Sequence, residues 1–433
     1  MVILRFLILL LFPLLLVQAH TAAQAAAESP TTLVLETQNN TSTSDKFRGM
    51  GNSNAAPAHV SKLPLRSMLY AGANTIILAR VVPFFLPSQK HVDVGYSSAD
   101  ERQAARQAQD MISRGIDGAI VDWYGTDHPD LGRAAVGFRK AAENHSGFRF
   151  AISEDKGALK NCRREPGCDL TRHLIKDLNY IYDHFEKSPA YLRQDDRPLV
   201  FFFDVNQDPI DWGRVRGSLK GNPLFIFRNK HALSSPESDG GFAWVDHTGK
   251  RNMPYLDDFY RKALDTLRSR PVIVVGSVYK GFDDRPASWS ENRVTDQECG
   301  QIWLDTFARV NHYFSRERPL AYLQVVTWND YEEGTEIETG IDNCVEIHAA
   351  ISDHDLSWRI NGNDATIDHF VIYASRDGER LLPLAELPGH ARQWQLKASE
   401  LVPGQYQLFV EAVGKPSILD KMSQPISWAV TAH

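Results

Sequence analysis

Between residues 76 and 327 the chain alternates short apolar runs with longer amphipathic stretches. The runs, rich in Val, Ile and Phe, cover residues 76–82, 118–123, 148–153, 199–204, 224–228, 242–245, 272–277 and 322–327. Helix-like patterns separate several of them, as at 100–114 and 297–314. Strands that lack polar alternation are buried on both faces, and helices between them make their pairing parallel. Eight such units over roughly 275 residues predict an α/β chain built on a (β/α)8 TIM barrel. The sixth unit is the least regular, because 242–245 is short and its helix is unclear. An open doubly wound sheet has the same alternation, but no Gly-x-Gly-x-x-Gly turn marks a dinucleotide site.

After residue 343 the rhythm changes. Segments 345–351, 356–360, 370–374, 394–396, 405–413 and 426–430 alternate apolar and polar residues. Asn361-Gly362-Asn363, Asp377-Gly378 and Pro403-Gly404 supply turns between them. This pattern predicts a small all-β antiparallel sandwich following the barrel. The expected division is a barrel over 66–343, able to fold alone, and a sandwich over 344–433. Residues 28–65, rich in Ser, Thr, Asn, Ala and Pro, read as a flexible linker.

The first 27 residues read as a signal peptide. Arg5 precedes an apolar run that ends in Val-Gln-Ala, and a second candidate cleavage point lies at Ala27. The run is shorter than the roughly 20 residues of a membrane span, so a secreted or periplasmic chain without a stable span is expected. An uncleaved N-terminal anchor is the alternative. Of the four cysteines, Cys162 and Cys168 flank a turn-like stretch and are expected to bridge; a Cys299–Cys344 bridge is the second option.

Composition narrows the function. Lys and Arg number 47 against 54 Asp and Glu, a net charge of -7, which argues against nucleic acid as a partner. Neither a Cys-x-x-Cys pair nor a finger-type Cys–His spacing is present, so no metal is expected. The absence of a Gly-x-Ser-x-Gly elbow removes the esterase triad. A monomer acting on a polysaccharide or oligosaccharide, with no cofactor, is the remaining expectation.

In a barrel of this type the C-terminal strand ends carry the chemistry. They hold Asp122, Trp123 and Tyr124 after the second strand, Asp204 after the fourth, and Tyr279 and Asp283 after the seventh. The eighth opens into Trp328, Asn329, Asp330, Tyr331, Glu332, Glu333 and, further on, Glu336. Acids on an apolar rim cost desolvation unless paired or in use. Two carboxylates among aromatic side chains suit glycoside hydrolysis, where one acid protonates the leaving oxygen and the other supports attack. Asp330 and Glu333 are the catalytic candidates; Asp122, Trp123, Tyr124, Asp204, Tyr279, Asp283, Trp328, Asn329 and Glu336 are the substrate-binding candidates. An ordinary acidic loop is the competing reading of 328–338. For Asp204 and Asp122 it is a rim salt bridge, and for Trp123, Tyr124 and Trp328 a place in the core. Arg285 makes a structural ion pair the better expectation for one of Asp283 and Asp284.

The loop Trp328-Asn-Asp-Tyr-Glu-Glu-Gly-Thr-Glu-Ile-Glu338 resembles the signature loops of glycoside hydrolase families 71 and 99. Asn329, Asp330 and Tyr331 follow the α-1,3-glucanases of family 71. Gly334, Thr335, Ile337 and Glu338 follow the endo-α-mannosidases and mannanases of family 99. Gly95-Tyr96-Ser97-Ser98, Asp122-Trp-Tyr-Gly125 and Gly281-Phe-Asp-Asp-Arg285 are similar to further parts of both. The resemblance implies Glu333 as general acid and Asp330 as second carboxylate. It implies inversion on the first pattern and retention on the second. The sequence departs from both at Val82-Pro83-Phe84-Phe85 and at Glu332, a like charge next to Glu333 that is expected to raise the acid's pKa. Trp358 and the stretch around Tyr406 resemble a fibronectin type III module. The resulting expectation is a secreted glycoside hydrolase acting on α-linked glucan, α-1,3-glucan in the first place, or on mannan. A carbohydrate-binding protein with a degenerate barrel is the rival.

Overall fold

The computed structural model describes residues 59–87, 90–250, 253–398 and 401–431. The expected signal peptide and nearly all of the expected linker fall outside them. Eight parallel strands close into a barrel: β1 (Ile76–Val81), β2 (Gly118–Trp123), β3 (Arg149–Asp155), β4 (Arg197–Phe203), β5 (Leu224–Arg228), β6 (Gly240–Phe242), β7 (Ile273–Val278) and β8 (Tyr322–Val325). Neighbours pair in chain order, and β8 returns to β1 with Tyr322 opposite Ile76. The helices outside the barrel include α1 (Glu101–Ser113), α2 (Pro129–Asn144), α3 (Leu170–Ile181), α4 (Trp212–Ser218), α5 (Pro254–Leu267) and α6 (Gln301–Tyr313). Asp100 starts α1 by accepting the Arg102 N–H, and Ala104, Ala108 and Met111 form its buried stripe.

The sixth unit's helix is regular, since α5 (Pro254–Leu267) follows β6; it is the fifth unit that lacks one, with a 3-10 turn, Lys230–Ser234, standing between β5 and β6. Strand β6 starts at Gly240, earlier than the apolar pattern predicts. A side chain at Gly240 would lie 2.5 Å from the Ile273 carbonyl oxygen, so β6 reaches β7 only with glycine there. Residues 243–245 run on from the strand end, buried.

Charge fills the barrel centre. The fully buried Arg80 of β1 donates to Asp122 and, at 2.7 Å, to Ser153 Oγ. Its guanidinium carbon lies 4.8 Å from the Phe242 ring centre and 5.0 Å from that of Trp244.

The C-terminal part holds two antiparallel sheets. One contains β9 (Glu346–Ser352), β10 (Asp355–Asn361) and β13 (Gln393–Gln395). The other contains β11 (Ile367–Ser375), β12 (Leu382–Pro388), β14 (Gly404–Gly414), β15 (Lys421–Met422) and β16 (Ile426–Val430). Trp358 and Phe370 meet in their shared core with ring centres 5.3 Å apart. Sequence pattern misses β12, whose two prolines suit only an edge strand, and β15, which is two residues long.

The two parts share packing. Val60 bridges to Leu419, and Ile341 to Ile418. Ile418 belongs to the barrel's apolar core, and Trp303 of α6 donates its Nε1–H to the Pro416 carbonyl at 3.0 Å. His59, Val60, Ser61 and Leu65 are buried, so the end of the expected linker is part of the fold. Both disulfides form, and Cys299–Cys344 crosses the joint. Among the described residues no helix is long and apolar enough to cross a membrane.

This joint buries Ile341 and Ile418 and engages Trp303, so the expectation that residues 66–343 fold alone is open to a direct test. Ile418→Ala should cost about 2–5 kcal/mol in urea unfolding, the usual range for emptying a buried aliphatic site. A 66–343 fragment should lack a cooperative transition, since it exposes Trp303 and Ile341. A fragment that melts sharply on its own would show that the joint is dispensable.

Candidate active site

The loop after β8 is built around one carboxylate. Asp330 Oδ1 accepts the backbone N–H groups of Glu332 at 3.1 Å and Glu333 at 3.0 Å. The Asp330 N–H donates to Thr327 Oγ1 at 2.9 Å, and its carbonyl accepts from Thr335. Gly334 adopts φ +58°, and a side chain there would meet Asp283 at 3.2 Å, so the turn requires glycine. The Glu333 carbonyl accepts from Asp283 N at 2.7 Å, tying this loop to the one after β7. Asn329 brackets Val82, accepting its N–H at 2.9 Å and donating to its carbonyl at 3.1 Å. Glu338 anchors the far end by accepting the hydroxyls of Tyr96 and Tyr331, each at 2.9 Å.

The two catalytic candidates are both perturbed. Asp330 is 5% exposed, and burial together with the neighbouring Glu333 charge lifts its carboxyl well above the usual range. Burial pushes Glu333 up to about 7, with Arg293 pulling against it and Asp122 adding to the rise. Glu333 Oε2 has no hydrogen-bond partner. This pair therefore retains a proton near neutral pH while one acid oxygen stays uncommitted.

Glu332 does not act as expected. Its carboxylate turns to the loop after β1, meeting His91 Nδ1 at 2.9 Å and accepting Val92 N–H at 3.2 Å. Its negative charge adds to the rise at Asp330.

Around the pair stand Asp122, Tyr124 and Asp155. Asp122 points inward onto Arg80. Burial and then the charges of Asp155, Asp122, Asp330 and Glu333 raise the Tyr124 phenol, which places that ring among the acids. Asp155 is a residue the sequence reading did not select. Burial and Asp122 push it up to about 7, although it accepts Gly157 N–H at 2.6 Å.

Several other candidates are engaged in ion pairs or hydrogen bonds, or are buried. Asp204 forms a two-pronged ion pair with Arg228, both contacts at 2.6 Å. Asp283 does the same with Arg285 at 2.8 and 2.6 Å, and Glu336 pairs with Lys280 at 2.7 Å. Asp284 is also engaged: against its burial, Arg293, Ser290 and backbone N–H groups hold its carboxyl down at about 2. Asn329 spends its amide on Val82. Tyr279 is 1% exposed.

Trp123 and Trp328 are not platforms. On β2 alternate side chains face opposite ways, and Asp122 takes the inward position. Trp123 therefore stacks outside on Tyr180 of α3, with ring centres 5.6 Å apart. Trp328 is fully buried with Arg114 over its ring at 4.8 Å. Phe203 and Trp244 occupy the inward side, 4.8 Å apart, with Arg228 over Phe203 at 4.6 Å. Cys162, Cys168 and His173 are gathered closely enough for a metal, but both sulfurs are committed to the disulfide.

No family model and no curated protein matches the chain. Solved structures of low similarity include the family 99 glycoside hydrolase endo-α-mannosidase from Bacteroides thetaiotaomicron, bound to Bis-Tris propane. It is 17% identical, with 65% of this chain and 90% of that chain covered and a TM-score of 0.48. A second structure of that enzyme is 16% identical at the same coverage and TM-score. A family 5 glycoside hydrolase from Bacteroides vulgatus is 9% identical, with 80% of this chain and 92% of that chain covered and a TM-score of 0.38. Likenesses this distant leave the chemistry to be read from the site's own geometry.

The raised Glu333 carboxyl has a consequence for stability. An acid whose folded pKa exceeds its unfolded value binds its proton more tightly in the folded state. Stability is then full below the unfolded value near 4.5 and falls as pH rises towards about 7. Glu333→Gln, which cannot ionise, should match the wild type near pH 4 and exceed it at pH 8 by on the order of 1–3 kcal/mol. Urea unfolding at both pH values checks this; equal or lower stability of the variant at pH 8 contradicts it.

Proposed function

We propose that the chain is a secreted glycoside hydrolase that cleaves α-linked glucan or mannan. Glu333 serves as general acid and Asp330 as second carboxylate. The observation that carries this reading is the uncommitted, proton-holding Glu333 carboxyl beside an Asp330 fixed by two backbone N–H groups. Glycosidic oxygen is a poor leaving group until protonated, and a donor is most effective with a pKa near the working pH. Asp330 then removes the proton from the attacking water, or from the sugar's own 2-hydroxyl. Tyr124, Phe203 and Trp244 supply flat faces for pyranose rings, while Asp122, Asp155, Asp204 and Arg228 supply hydroxyl partners. Aspartate at 330 favours α-1,3-glucan.

Two disulfides fit an oxidising compartment and support export. The Tyr406 hydroxyl donates to the Val402 carbonyl at 2.8 Å, in the manner of a tyrosine corner, which supports a fibronectin type III-like reading of the sandwich.

Release of reducing ends from α-1,3-glucan and α-mannan tests the proposal. Glu333→Gln should slow cleavage of a natural linkage by about 10²–10⁴ and spare a substrate with an activated leaving group. Asp330→Asn should impair both alike. Binding of these glycans without any release of sugar would favour the non-hydrolytic rival.

A further inference from the structure

Arg114, which caps the C-terminal end of α1, is fully buried, and its charge has no part in the chemistry proposed above. Taking a guanidinium out of water is costly, and only close partners offset that cost. Burial lowers its pKa while the charges of Asp110 and Glu338 act against the fall, and a guanidinium keeps its proton at any pH the fold survives. Apart from Asp110 in the same helix, the partners of this guanidinium belong to one segment. Nη1 donates to the Ile337 carbonyl at 2.6 Å, and Nη2 donates to the Glu338 carbonyl at 2.7 Å and to Asp110. The flat face covers the Trp328 ring at 4.8 Å.

Those three residues are the neck of the loop that carries the two acids. The Trp328 carbonyl accepts the Ile337 N–H at 3.1 Å and the Glu338 N–H at 2.9 Å, so the loop's two ends close on each other. Asp330 and Glu333 lie between them. One fork from α1 thus grips both sides of the neck, the first by its ring and the second by its carbonyls. Lysine offers neither a flat face nor a fixed fork, only a point charge on a flexible stem. Asp110 steadies the outer side of the fork and itself pairs with Lys62.

We propose that Arg114 is a positioning residue for the catalytic pair, holding the neck of the loop after β8 so that Glu333 stays buried beside Asp330. Its effect on turnover rests on the glycosidase reading; its effect on the loop does not. Without the fork, the Ile337 and Glu338 carbonyls lose their side-chain donor, the turn between them loosens, and water reaches Glu333.

Carbon-13 NMR titration of Glu333 and steady-state cleavage of α-1,3-glucan and α-mannan, both on the full chain, test this with Arg114→Met and Arg114→Lys. In the wild type Glu333 should titrate near 7. In folded Arg114→Met the midpoint should move towards 4.5, and Arg114→Lys, which keeps one donor, should fall between the two. kcat should drop about 10- to 100-fold, the scale of an ångström-sized misplacement, with KM little changed. Thermal unfolding identifies which variants are folded. If neither Arg114 variant folds, Asp110→Asn, which removes the outer anchor of the fork at a partly exposed site, should show the same shift in smaller measure. A midpoint that stays near 7 in a folded but less stable variant overturns the positioning and leaves the glycosidase reading standing. A shifted midpoint in variants of a wild type that cleaves neither glycan upholds Arg114's hold on the loop and overturns the glycosidase reading.

Discussion

Removing a carboxylate from water is costly, and the mouth of this barrel does it repeatedly. The molecule answers that cost in two ways. Asp122 lies on Arg80, Asp204 on Arg228, Asp284 on Arg293 and Glu336 on Lys280. These pairs hold strand ends and loops in register. Asp330 and Glu333 have no such cation in contact, and their shared burial is relieved by retaining a proton instead. Raised acids are not confined to this pair, since burial also lifts Asp155, Glu154 and Glu186. What sets Asp330 apart is that one of its oxygens also holds the loop's own amides.

The barrel was legible because seven of its strands carry short, predominantly apolar runs broken only by isolated polar residues such as Arg80 and Gln324, and such runs have few other uses in a chain of this size. Strand β6 was harder to place, since Gly240 and Gly241 have no side chains to register as apolar. That shift hid Trp244, which shares the inward parity of Phe242. The same alternation separates Asp122 from Trp123, so a strand-parity argument on β2 would have sent Trp123 outward. Asp155 could have been found by the same argument, because it shares its side of β3 with Ser153, the partner of Arg80. What no local pattern reveals is which acid meets which arginine. Asp204 and Arg228 are 24 residues apart, and their contact exists only once β4 and β5 pair.

The joint between barrel and sandwich was invisible for a related reason. Alternating strands after residue 343 announce a second β structure, and its internal core is present around Trp358 and Phe370. They do not announce that Ile418, in the connection between β14 and β15, is spent on the barrel's core. Nor do they show that residues 59–61 run beside 417–420. The loop after β8 lies close to this joint along the chain, because Ile341, which meets Ile418, follows Glu338 by only three residues.

The central claim is that burial beside other acids raises the Glu333 carboxyl so that it titrates near neutral pH. Carbon-13 NMR of side-chain carboxyls in glutamate-labelled protein measures this directly, with Glu333→Gln identifying the signal. A Glu333 titration midpoint near 7 is the expected result. A midpoint near 4.5, the ordinary value for an exposed glutamate, would contradict the account.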